Sequence, residues 1–229
     1  MGQSPADYAV VIPAWNAADT IEETLRSVAA QSVPPAEIVV VDDGSTDDTP
    51  GVAESVRVPV RVIRRPMQEG PGAATTLGVR SVRTTFVAFL DADDLWLPDK
   101  MERQLSHLAA LPDVAGVFGH WQSFDGGPEM GLRPPLAGWS RTTLVVRREV
   151  ADAVGPMVDL PARVGDMIDW IQRAREQGHV FSLLPDTVAY RRVRPGSLSD
   201  ARTNLDRNRG YLAAARNALL RRQSAKADE

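Results

Sequence analysis

Asp91, Asp93 and Asp94 follow directly on a short apolar run at 86–90, Phe-Val-Ala-Phe-Leu. Carboxylates crowded at one place repel one another, and a divalent cation with oxygen ligands offsets that repulsion. Mg2+ or Mn2+ suits a site built from carboxylates and substrate phosphates. For Asp-x-Asp-Asp taken alone, an acidic turn without such a role is an equally good reading. Asp42 and Asp43 close a second short run, Ile-Val-Val-Val at 38–41. Asp166 and Asp169 stand about one helical turn apart, so on a helix they could share a face.

These acids need elements to position them. The runs at 8–12, 38–41, 58–63 and 86–90 are short, apolar and rich in β-branched or aromatic residues, which predicts buried strands. Between them Ile21, Leu25, Val28 and Ala29 recur at helical spacing, and 73–82 also reads as a helix. Repeated β-then-α units predict a parallel, doubly wound sheet, in which ligands bind at the carboxyl ends of the strands. Pro13, Asp42, Asp43, Asp91 and Asp93 all fall at such ends. Further on, the expected elements are a helix to about Leu111, strands at 114–118, 142–146, 181–184 and 188–190, and a Gly- and Pro-rich loop at 122–138. A helix is expected from 166 to Gly178. A last helix is expected at 205–222, with Leu205, Leu212, Ala215 and Leu219 on one face and five arginines among its residues.

The chain has 229 residues, 43% hydrophobic and 24% charged, with a net charge of −4 and no cysteine. These values fit a soluble globular domain, give no basic field that would favour nucleic acid, and exclude disulfides and thiolate metal sites. No apolar run approaches the roughly 20 residues that span a bilayer. The first residues lack the layout of a signal peptide, so a cytoplasmic location is expected. The arginines of the last helix leave peripheral contact with a membrane surface open.

The segments Val-Ile-Pro-Ala-Trp-Asn at 11–16, Val-Val-Val-Asp-Asp-Gly-Ser-Thr-Asp at 39–47, Phe-Leu-Asp-Ala-Asp-Asp at 89–94 and the acid-bearing helix start at 166–170 stand in a telling order. In order and spacing they resemble a family-2 glycosyltransferase of the GT-A fold. The resemblance covers about 8–199. It implies one GT-A domain over 1–229 with a Rossmann-like, mostly parallel sheet, flanking helices and a C-terminal helix. It implies an inverting transfer from a nucleotide-sugar donor, most simply a UDP- or dTDP-sugar. A small-molecule or peptide acceptor, or one presented by a partner, is expected, and a homodimer is left open. Pro13 and Trp15 would line the nucleoside pocket with Asp42, and Asp43 would accept a hydrogen bond from the base. Asp91 would approach the ribose or the metal, and Asp93 would ligate Mg2+ or Mn2+.

The sequence departs from the family in informative ways. The Glu-Asp pair that supplies the family's catalytic base falls on Asp166 and Met167, or on Gly165 and Asp166 after a shift of one residue. Asp166 is the expected base and Asp169 the alternative. An Arg-Asn pair is replaced by Thr75-Thr76, so that some diphosphate or donor contacts are either lost or supplied by Arg64, Arg65 or Arg80. Arg194 stands where the family usually has a His, and it can pair with a diphosphate but cannot ligate a metal. Trp121 and Trp139 could form an acceptor platform. A nucleotide-sugar binder without turnover is the alternative, and a nucleotidyltransferase is disfavoured because no Gly-rich phosphate loop opens the chain.

Overall fold

The computed structural model describes residues 7–160, 165–193 and 204–227. Strand and helix alternate at first: β1 (Tyr8–Ala14), α1 (Ile21–Ala29), β2 (Glu37–Asp42), α2 (Thr49–Ser55), β3 (Val60–Arg64), α3 (Pro71–Ser81) and β4 (Phe86–Phe89). Then follow β5 (Leu95–Trp96), α4 (Lys100–Ala110), β6 (Val114–Phe124), β7 (Leu136–Ala137), a 3-10 turn (Arg141–Thr143), β8 (Val145–Arg147) and α5 (Arg148–Val154). The described chain ends with α6 (Asp166–Glu176), β9 (Val180–Arg192) and α7 (Asn204–Ala227).

Among the described residues the strands form one sheet, ordered β3-β2-β1-β4-β8-β6-β9-β5, with β7 on β6. β1 to β4 pair in parallel, as do β6 and β9. β8 runs antiparallel to both β4 and β6 and joins the two parallel groups. Successive side chains on a strand face opposite ways. Tyr8, Val10 and Ile12 therefore meet Ile21, Leu25 and Val28 of α1 and Met101, Leu105 and Leu108 of α4. Ala9 and Val11 meet Ala74 and Val79 of α3 and Trp170 and Ile171 of α6 on the other side. Burial on both faces is why these strands read as continuous apolar runs. The expected α/β fold is the one observed.

Several boundaries differ. β1 does not stop at Pro13 but runs to Ala14. Beyond Val11 it pairs only with β2, so a residue without an N–H is tolerated at that strand end. Thr142 and Thr143 lie in the 3-10 turn rather than a strand. The Thr143 hydroxyl bonds the Gly138 and Ser140 carbonyls, and such local bonds compete with a ladder. The strands expected at 181–184 and 188–190 are one strand, β9, whose register against β6 shifts at irregularities. The loop expected from 122 is shorter, because β6 extends to Phe124 and β7 folds back on His120 and Trp121.

The last helix does not pack through its leucine face. Leu212 is 69% exposed and Leu219 58% exposed, whereas Ala214 is buried. Small residues set this contact: a Cβ added at Gly165, just before α6, would stand 3.0 Å from the Gly210 carbonyl oxygen. The approach of α3 to β1 depends on Gly78 in the same way, since a methyl there would overlap the Val11 side chain. Gly78→Ala is expected to destabilise the protein by roughly 1–3 kcal/mol through overpacking. The check is a lower urea midpoint with an unchanged slope.

Candidate active site

The carboxyl ends of β1, β2 and β4 lie side by side, and their loops are tied together by small polar side chains. The Leu90 N–H donates to the Val11 carbonyl at 3.2 Å, and the Asp94 N–H closes a turn on the Asp91 carbonyl at 3.1 Å. From α1, the Thr20 hydroxyl bonds the Ala92 carbonyl, and the Thr24 hydroxyl reaches the Ala92 and Asp94 carbonyls. The β1 and β2 loops are laced by the Asn16 N–H on the Ser45 hydroxyl at 2.9 Å and the Thr46 N–H on the Asn16 side-chain oxygen at 2.8 Å. Asn16 takes a positive φ of 47° to do this, a conformation Asn tolerates better than most residues.

The three acids after β4 separate into two kinds. Asp94 is 2% exposed and accepts hydrogen bonds from the Thr142 hydroxyl at 2.6 Å and the Arg192 N–H at 2.9 Å. It joins the β4 loop to the 3-10 turn and to β9. Burial, with repulsion from Asp93 and Asp91, pushes its carboxyl well above the usual range. Asp91 and Asp93 are only partly buried.

Arg141 on the 3-10 turn was not singled out in the sequence, yet it connects the site. Its Nη1 donates to Asp91 at 2.9 Å and its Nη2 pairs with Asp166, while its side chain is 8% exposed. Burial works against its charge, but Asp166 and Asp91 outweigh burial and raise its pKa. Its Nε is buried without a partner. The turn is held from behind: Trp96 Nε1 donates to the Thr142 carbonyl at 2.8 Å, and Gln104 Nε2 donates to the Thr143 carbonyl at 2.8 Å. Gln104 in turn accepts from the fully buried Lys100 at 2.6 Å, whose ammonium lies 4.1 Å from the Trp96 ring centre.

Asp166 and Asp169 both lie in the first turn of α6 and are buried, but they face different partners. Asp166 faces Arg141 and, across it, Asp91. Burial raises its pKa, with Arg141 opposing. Asp169 accepts from Arg173 at 3.0 Å and from Arg221 of α7 at 2.9 Å, so it fastens α7 to α6. Met167, on α6, is buried in the core shared with α3 and α5. Asp169→Ala is expected to lower stability by roughly 1–3 kcal/mol and to loosen α7, because it removes the carboxylate that Arg173 and Arg221 share, leaving Arg173 on the Val154 and Pro156 carbonyls and Arg221 on Glu176. Hydrogen exchange should show the loss of protection concentrated in α7.

Of the other expected site residues, Pro13 ends up buried in β1 and Trp15 is 48% exposed on the loop after it. Asp42 accepts from the Ser45 N–H at 3.3 Å. Asp43 is 2% exposed and accepts from Arg65 at 2.6 Å, the Glu69 N–H at 3.1 Å and the Gly70 N–H at 2.7 Å. Asp43 and Arg65 thus shape the loop leading into α3. Asp159 caps α3, accepting from the Gly72 and Ala73 N–H groups at 2.9 and 2.8 Å. Thr75 and Thr76 spend their hydroxyls on the Pro71 and Gly72 carbonyls inside α3, and Thr76 also accepts from the Met157 N–H. Trp121 sits on β6 with the Arg191 guanidinium 4.1 Å from its ring centre, and Trp139 packs on Phe118 and Arg175. Arg194 lies outside the described residues.

Among the described residues no group of three or more His, Cys, Asp or Glu is arranged to hold a metal by protein ligands alone. Asp91 and Asp93 are two partly exposed carboxylates in the loop after β4. One or two carboxylates completed by substrate phosphates and water is the donor set that Mg2+ takes, and these residues fit it.

The family model described as glycosyl transferase family 2 matches residues 9–158. The succinoglycan biosynthesis protein ExoO of Rhizobium meliloti is 38% identical over 112 residues, which is 48% of this chain and 31% of that protein. Staphylococcus aureus TarS 1-349 in complex with UDP has the same fold, with a TM-score of 0.68 and 21% identity over 82% of this chain and 61% of TarS. The mannosyltransferase PcManGT of Pyrobaculum calidifontis, in complex with GDP-Man and Mn2+, gives a TM-score of 0.66 and 22% identity over 83% of this chain and 58% of its own. The chain thus spans about a third of ExoO and under two-thirds of the two structures.

Proposed function

The chain belongs to glycosyl transferase family 2, and from this we propose that it moves a sugar from a nucleoside-diphosphate donor to an acceptor hydroxyl by a single, inverting displacement. The observation that carries this reading is the Asp91–Arg141–Asp166 bridge. It sets an acid of the loop after β4 opposite an acid at the head of α6, across one guanidinium. Those are the two sides an in-line displacement requires, with a leaving group on one and a base on the other.

In this reading Pro13, Trp15, Asp42 and Asp43 line the nucleoside pocket, with Arg65 fixing the direction of the Asp43 carboxylate. A UDP- or dTDP-sugar is the donor, since each presents an imide N–H to a carboxylate. Asp93, with Asp91, holds Mg2+ or Mn2+. The cation, when bound, is a Lewis acid for the charge on the departing diphosphate. Asp166 takes the proton of the acceptor hydroxyl at its carboxylate oxygen. Trp121 forms part of the acceptor platform. TarS is named with UDP and PcManGT with GDP-Man and Mn2+, which supports a nucleotide-sugar donor and a divalent cation. ExoO is named for succinoglycan biosynthesis, which supports a saccharide acceptor. No described helix is long and apolar enough to cross a membrane.

A second reading, a nucleotide-sugar binder without turnover, is favoured by the buried Met167 and by the engaged Thr75 and Thr76 hydroxyls. The test of donor binding is a thermal-shift series with UDP-, dTDP- and GDP-sugars, with and without Mn2+. A ligand that binds only the folded state at about 100 times its Kd stabilises it by about 2.7 kcal/mol. The expected result is a rise in Tm with a uracil or thymine donor, larger with Mn2+. No shift with any of these sugars contradicts the proposal.

A further inference from the structure

We propose that Arg141 binds the donor's diphosphate and, while no donor is present, covers Asp91, so that nucleotide and divalent cation enter the site together. The inference rests on the donor reading above and adds a residue and an order to it.

The two halves of the Arg141 clamp are unequal. The Asp166 side chain is 9% exposed and the Asp91 side chain 37% exposed. The Asp91 half is the more open to water and ligand, and the Asp166 half the more sheltered. A guanidinium has five N–H donors in a fixed fork that matches phosphate oxygens. Arg141 spends Nη1 on Asp91 and Nη2 on Asp166, and its Nε is buried with no partner. A buried donor left unpaired is costly, and Nε is a donor that a phosphate oxygen could satisfy.

The backbone behind Arg141 is fixed by Trp96 and Gln104, so its guanidinium works from a rigid mount. Asp91 and Asp166, together with the neighbouring Asp93, would repel a diphosphate without a compensating cation. Thr75 and Thr76, in the place of the expected Arg-Asn pair, have their hydroxyls committed within α3. When Nη1 turns from Asp91 to the diphosphate, it releases an Asp91 oxygen for the cation. Without nucleotide, the same contact holds cation affinity down.

The experiment compares the parent with Arg141→Gln and Arg141→Lys. Calorimetry in EDTA measures UDP, dTDP and GDP against uridine, thymidine and guanosine. Electron paramagnetic resonance measures Mn2+ binding without nucleotide. The expected result for Arg141→Gln is roughly ten- to a hundredfold weaker binding of the nucleoside diphosphate, with nucleoside affinity unchanged and Mn2+ affinity increased several-fold. Opposite changes in the two affinities distinguish this role from general damage, which weakens both. Arg141→Lys keeps the charge but loses the fork, and is expected to fall between parent and Gln. It carries the same comparison if the Gln variant does not fold. Diphosphate binding equal to the parent's in both variants, or Mn2+ affinity that does not rise, overturns the role of Arg141 alone. A parent that binds none of the three diphosphates, with or without Mn2+, overturns the donor reading and this inference with it.

Discussion

Asp166→Asn is expected to lower turnover by roughly 10²–10⁴-fold, the usual contribution of a positioned base, while donor binding changes little. Asparagine keeps the shape of the side chain and an oxygen that can accept from Arg141, so the clamp loses charge but not its geometry. What it lacks is basicity. The loss should therefore fall on kcat, with KM for the donor nearly unchanged, the pattern of an interaction made in the transition state. The pH dependence follows from the same environment. The carboxylate form is the active one, so the rate falls as pH drops through the pKa of Asp166. Burial lifts that pKa above the ordinary carboxylate value, with Arg141 opposing, so the acid limb should lie at higher pH than for an exposed aspartate.

Asp93→Asn is the second large effect, with turnover expected to fall by roughly 10²–10³-fold, the usual loss when one element that stabilises transition-state charge is removed. Contacts to its backbone help to shape the loop that carries Asp93. Thr20 and Thr24 hold the Ala92 and Asp94 carbonyls, and Arg192 Nε donates to the Asp93 carbonyl at 3.0 Å. The substitution keeps these backbone contacts and removes the proposed cation ligand. The distinguishing measurement is the Tm shift with donor, which should no longer grow when Mn2+ is added. An undiminished Mn2+ response would move the cation to other residues.

The buried strands and the placing of acids at their carboxyl ends were legible in the sequence, because both faces of the parallel half are covered. Runs such as 8–12 and 38–41 then have no polar positions to blur them. The helix start at Asp166 was legible too, from the glycine before it and the acids in its first turn. Arg141 was not. It lies 50 residues from Asp91 and 25 from Asp166, and meets them only because β8 pairs with β4 beside the acid loop. Its local sequence, Ser-Arg-Thr-Thr before an apolar strand, carries no spacing that distinguishes it from a surface arginine. Asp94 was grouped with Asp91 and Asp93, and nothing local separates them. Only Thr142 and the Arg192 backbone, both distant in sequence, draw it into the interior. Nor does the sequence of α7 rank Gly210 and Ala214, whose small size lets two helices meet closely, above its exposed leucines as the packing residues.

The most direct test of a single displacement assisted by Asp166 needs no acceptor. An α-linked UDP- or dTDP-sugar that raises the Tm is incubated with the enzyme in water, and the released sugar is followed by time-resolved proton NMR before mutarotation. Inversion predicts that the β anomer forms first, with formation lost in Asp166→Asn. Initial release of the α anomer, or release at the same rate from Asp166→Asn, would contradict it.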